Sequence, residues 1–235
     1  MADDGPFVVE ALLLVPWPSA PWADGALLRC AADAIGPLNG KPFSGSGSRA
    51  RAFLEGRTAA ARISLIHPDF GADSVYENAW VSLGVAPDAK LAADILVLSI
   101  HLGNPENRVD CQWNLALELV SRLITAVKPS SSCMNGRLVD TDGSALPPER
   151  TLAQGFPERI TPFVYLGASE LTVDLCDALS RLPAFRSQPC GDGWMLVLVE
   201  SLSERPSEGL LREIGKAAGR TVTYLSPIMP GGETT

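Results

Sequence analysis

The sequence predicts an α+β fold, with antiparallel or mixed sheets and helices packed on one face, as one domain or as two ferredoxin-like halves. Three observations lead there. Short apolar runs of strand length recur along the chain, and one of them, Glu77–Val85, alternates in the manner of a half-exposed antiparallel strand. Between them lie capped segments with helical apolar periodicity. Finally, Ala11–Gly36 and Leu196–Gly219 share one layout: strand, proline-containing loop, Leu-Leu-Arg helix and glycine stop.

The first strand is Phe7–Val15 (FVVEALLLV), β-branched and apolar apart from Glu10. Three prolines stiffen the following loop, Pro16–Trp22. Asp24 is placed to cap a helix over Ala26–Ile35, whose Leu27, Leu28, Ala31 and Ile35 share a face, and Gly36-Pro37 stops it. Ser44–Ser48 reads as a flexible turn leading into Arg49, Arg51, Arg57 and Arg62, a basic cluster in an acidic half. Thr58–Ile66 is the next strand, followed by a polar loop and Glu77–Val85.

The stretch 94–127 forms the centre. Ile95–Leu102 is nearly continuous in apolar residues, which suits a strand covered on both faces. Asn104-Pro105-Glu106-Asn107 breaks it. A helix then runs from Arg108 to Val127, polar only along a stripe of Asp110, Asn114, Glu118, Ser121, Arg122 and Thr125, and therefore mostly buried. Residues 130–161 are rich in serine, glycine and proline, with a short hairpin expected at 136–143. We divide the chain into an N-terminal half 1–142, a connection 143–160 and a C-terminal half 161–235. The second half offers a strand at Thr161–Leu166, a helix from a Ser169 cap to Leu182, and a Gly191–Gly193 turn into strand Trp194–Val199. A helix over Gly209–Ala218, started by Ser207 and ended by Gly219, precedes a closing strand Thr221–Leu225.

The net charge of −8 is uneven, −6 over residues 1–120 and −2 over 121–235. An acidic surface repels phosphate backbones and attracts basic proteins, so the expectation is a basic protein partner and no nucleic acid. Five cysteines without a CxxC pair suit reduced thiols in a cytoplasm. No apolar stretch reaches the length of a membrane span, and the acidic N-terminus is unlike a signal peptide, so no membrane is expected either.

Catalytic signals are sparse. His101, at the end of the central strand, and Cys111, near the start of the helix, form the one combination suited to a cysteine-dependent hydrolase. A buried histidine and a packing thiol are the stronger reading, because Cys111 falls about one turn inside the helix among apolar neighbours. His67-Pro68-Asp69 lacks further metal ligands, Asp140–Gly143 is half of a calcium loop, and Ser44–Ser48 with its arginines lacks the lysine of a P-loop. No cofactor and no metal are expected. What remains is a set of polar loops at strand ends: Asp69, Asp73, Tyr76 and Glu77 in one, Asn104, Glu106 and Asp110 in the other. Carboxylates, amides and an aromatic ring on a rigid scaffold suit recognition of a basic protein surface.

The strand–helix unit ending at Ile35-Gly36-Pro37-Leu38 and the closing helix–strand Gly209–Leu225 carry a resemblance of layout. In an acidic α+β chain with tryptophan-bearing strands and leucine-rich helices, they are similar to the bacterial immunity proteins of polymorphic-toxin and type VI secretion systems. The resemblance implies a non-enzymatic protein that binds a cognate toxin and occludes its active site. A small-ligand regulatory domain, as ferredoxin-like pairs can be, is a further alternative.

Overall fold

The structure is a computed structural model that describes residues 7–17, 22–23, 25–70, 79–101, 109–138 and 156–227, with the backbone alone at 109–111 and 137–138. The fold is α+β, as predicted. Its frame is one nine-stranded sheet. In chain order the strands are β1 (Phe7–Pro16), β2 (Ser44–Gly45), β3 (Arg62–Ile66), β4 (Trp80–Asp88), β5 (Ala93–His101), β6 (Ser131–Leu138), β8 (Phe163–Leu166), β9 (Arg186–Cys190) and β10 (Gly193–Val197). Their spatial order is β2-β3-β4-β5-β1-β6-β8-β10-β9, with every neighbouring pair antiparallel. A separate parallel pair joins β7 (Arg159–Ile160) to β11 (Thr223–Tyr224). The helices are α1 (Ala26–Ile35), α2 (Gly47–Leu54), α3 (Val109–Val127), α4 (Val173–Ser180) and α5 (Glu208–Ala218).

Strand parity decides which face each residue covers, because successive side chains alternate. Phe7, Val9, Ala11, Leu13 and Val15 of β1 join Leu96, Leu98 and Ile100 of β5 on one face, which we call the front. The buried sides of α1 and α3 cover it: Leu27, Leu28, Ala31 and Ile35 from α1, and Trp113, Leu119, Val120, Leu123 and Ile124 from α3. β8 and β10 serve both faces. Phe163, Tyr165, Met195 and Val197 enter the front core, while Val164, Leu166 and Leu196 enter a second core on the back, beneath α4 and α5. So each half keeps its helices to one face, as predicted, but the two halves use opposite faces of a shared sheet.

Most predicted elements recur within a few residues. α1 spans the predicted residues and stops at Gly36, in the left-handed region at φ 57. α3 exposes Asn114, Glu118, Thr125 and Ala126, half-buries Ser121 and Arg122, and buries its other described side chains. Ser207 Oγ accepts from the Leu210 N–H at 3.1 Å, and Gly219 closes α5 at φ 65.

Three stretches differ. The run Ser131–Leu138, read as irregular apart from a hairpin at its end, is instead a strand between β1 and β8. Its small residues are what the space allows, since a Cβ on Gly136 would meet Phe7 Cζ at 2.5 Å. Context here overrides strand propensity. The expected flexible turn at Ser44–Ser48 is β2 followed by the start of α2, whose Ala50 and Phe53 are buried. Arg29 fixes that helix, donating from Nη1 to the Phe53 carbonyl at 2.9 Å with its guanidinium 4.6 Å from the Phe53 ring centre. Third, α4 begins after Thr172, not Ser169. Ala168–Glu170 forms a separate 3-10 turn, and the Thr172 hydroxyl accepts from the Leu175 N–H at 3.2 Å.

Candidate functional site

The two polar loops singled out in the sequence are rooted at one end of the sheet. Trp80 pairs with His101, and His101 with Val8, so the start of β4, the end of β5 and the start of β1 lie in one row. β3 runs antiparallel to β4 and ends beside it at Ile66. Of the predicted contact residues, Asp69 is fully described. Asp73, Tyr76, Glu77, Asn104 and Glu106 lie outside the described residues, and Asp110 is described only as backbone in the first turn of α3.

Asp69 is held by its neighbours. Lys41 Nζ donates to Oδ1 at 2.6 Å, and Asn39 Nδ2 to Oδ2 at 3.3 Å. The Lys41 contact holds the carboxyl below its usual range. His67 is buried beside it. Its Nε2 lies 3.0 Å from the Leu38 carbonyl and 2.9 Å from that of Lys41, while Nδ1 accepts from the Asp69 N–H at 3.1 Å. Phe43 and Phe70 pack against the imidazole, with centroids at 4.9 and 5.4 Å. His67-Pro68-Asp69 is therefore the clasp of a turn at the end of β3.

On the back face at the same end, the Trp80 and His101 rings stack with centroids 4.6 Å apart and an interplanar angle of 7°. Ile66, which shares that face with Ser64, is 43% exposed. An aliphatic side chain and a partly exposed aromatic pair thus flank the acidic turn. His101 projects from the back face, whereas α3, which carries Cys111, lies against the front.

Sequence reading missed a polar seam that crosses the strands two residues in from this end. Ser64, Ser82, Ser99, Glu10 and Asn135 are successive cross-strand partners from β3 through β4, β5 and β1 to β6. All except Ser64 are buried, Glu10 at 6% exposure. Ser64 and Ser82 share a hydroxyl contact at 3.4 Å, and Ser99 Oγ donates to Glu10 Oε2 at 3.3 Å. Asn135 Nδ2 donates to the Leu225 carbonyl at 3.5 Å. The one signal for the seam was Glu10 interrupting an apolar strand. The Ser99 hydroxyl thus gives the buried Glu10 carboxylate a hydrogen bond, which a buried acid requires.

Among the described residues no group of three or more His, Cys, Asp or Glu is placed to hold a metal ion, and no helix is long and apolar enough to cross a membrane. Cys30, Cys176 and Cys190 are free thiols, and burial pushes those of Cys30 and Cys190 up, away from the reactive thiolate.

The fold and this sheet end define an acidic α+β protein whose polar loops stand on a rigid antiparallel sheet. No protein-family model and no curated protein matches the chain. Among solved structures it is similar to the Pseudomonas aeruginosa T6SS protein PA0821, with a TM-score of 0.50 over 97% of this chain and 77% of that one, at 14% sequence identity. At that identity the likeness is one of fold.

Proposed function

We propose that this protein is a non-enzymatic binding protein of the bacterial cytoplasm, an immunity protein that neutralises a cognate toxin by occluding its active site. One observation carries the reading: the exposed Ile66 and the stacked Trp80 and His101 share one face at the end of the sheet where both polar loops are rooted, and the Asp69 turn leaves β3 there. Aromatic and aliphatic anchors ringed by charge are the composition of an interface centre. The contact set is Asp69, Asp73, Tyr76, Glu77, Asn104, Glu106 and Asp110, presented to a basic cleft. The net charge of −8 speeds capture of such a cleft and disfavours nucleic acid and anionic membranes. The T6SS designation of PA0821 supports placing this chain in the same biology.

The test is co-expression in bacteria with the product of the adjacent reading frame. The expected result is rescue of growth together with co-purification of the two chains. A toxic neighbour that is neither bound nor neutralised defeats the proposal.

A further inference from the structure

A second candidate site lies at the opposite end of the sheet, where the front face runs out past the first turn of α1. Asp94, paired with Val15 on one side and Pro87 on the other, points to the front face at the margin of the core. It is only 5% exposed, yet it lines a cleft of about 290 Å³ with apolar walls that include Leu27, Leu28, Val85, Pro87 and Trp22. A carboxylate set among hydrocarbon is costly unless paired. The Trp22 backbone N–H and the Trp17 indole are turned toward it, the indole without closing a hydrogen bond of normal geometry. No cation reaches it among the described residues. The indole Nε1 of Trp22, on the wall of the same cleft, is buried without an acceptor. An unsatisfied donor and an under-compensated anion therefore share one small apolar space, and each lacks what a ligand would bring.

We propose that this cleft binds a small primary ammonium compound with an acceptor oxygen on a short alkyl chain. The ammonium pairs with Asp94, the chain lies against Leu27, Leu28 and Val85, and the oxygen accepts from Trp22 Nε1. A neutral diol lacks the charge that Asp94 needs, and a plain alkylamine leaves the indole unpaired. The volume, at the small end for ligand sites, excludes a nucleotide.

The test uses the full chain and follows its five tryptophan indole N–H signals by heteronuclear NMR during titration with 5-amino-1-pentanol, n-pentylamine and 1,5-pentanediol. The aminoalcohol is expected to move the Trp22 signal in a saturable way, with pentylamine about tenfold weaker and the diol silent. Trp22→Phe should bring the two amines to equal affinity. Ala61→Trp, at an exposed position on the cleft wall, should block both while leaving the other indole signals in place. The inference is overturned if neither amine shifts Trp22, if the diol binds as well as the amines, or if binding survives the Ala61→Trp plug.

Discussion

Replacing Arg122 with alanine probes how α3 is fastened to α1. The guanidinium Nη1 donates to the Ile35 carbonyl and, at 2.9 Å, to that of Pro37, while Nη2 reaches Glu118 Oε1 at 2.5 Å. Ile35 is the last residue of α1, and the carbonyls of a final helical turn lack intrahelical partners. The three contacts are unequal. The Pro37 carbonyl is exposed, so water replaces the arginine there at little cost. The Glu118 pair is an exposed i,i+4 contact, worth about 0.3–0.5 kcal/mol. The Ile35 carbonyl is partly buried, and losing a charged donor there costs about 1–3 kcal/mol, with about 0.3–1 kcal/mol more for the cation at the helix C-terminus. Arg122→Ala should therefore destabilise by about 2–3 kcal/mol, read as a fall in urea midpoint at unchanged m. Glu118→Ala should cost about 0.5 kcal/mol or less. If the glutamate substitution costs as much as the arginine one, the carbonyl clamp is not what joins the helices.

Three further outcomes follow from local geometry. Gly45→Ala would set a Cβ 2.5 Å from the Arg51 backbone nitrogen and 2.7 Å from the Ala50 carbonyl carbon, and backbone cannot rotate away. It should cost about 1–3 kcal/mol in the same urea assay, and a neutral effect would mean that α2 is not packed on β2. Ser207→Ala removes the cap of α5 and should cost about 1 kcal/mol, seen as lowered amide protection over Glu208–Leu211 in hydrogen exchange; unchanged protection would contradict the cap. Asp94 gives a pH dependence. Burial raises its carboxyl pKa despite the opposing Trp17 and Trp22 contacts. A carboxyl raised above its unfolded value of about 3.9 opposes folding as pH climbs through the folded value, and has no effect below the unfolded one. The stability of Asp94→Asn relative to the native chain should improve between pH 3 and pH 7, and a flat or falling difference would show that the buried charge is compensated.

Much of the fold was legible because it rests on periodicity and punctuation. The unbroken apolar run of β5, the narrow polar stripe of α3 and the glycine stops after α1 and α5 each follow from a local rule, and each recurs in the structure. What was not legible depends on partners far along the chain. Ser131–Leu138 is a strand because β1 and β8 lie on either side and Phe7 fills the space over Gly136. Gly45 falls in what reads as a flexible turn, but it is the point where β2 and α2 touch backbone to backbone. The opposite placement of the two helical layers depends on β6 joining β8, which no local pattern announces. At the candidate site the sequence located Asp69 but not its Lys41 clasp, nor the Trp80–His101 stack, because each joins residues more than twenty positions apart in the chain.

The most direct measurement is the binding kinetics of the purified chain with the toxin it is proposed to neutralise, comparing the native protein with Trp80→Ala and Ile66→Asp at two salt concentrations. If the sheet end bearing Asp69 is the contact surface, each substitution should weaken the complex by about 30-fold or more, chiefly through faster dissociation. Added salt should instead slow association. A complex equally tight in both variants, or an association rate indifferent to salt, would place the partner elsewhere on the molecule and contradict the account.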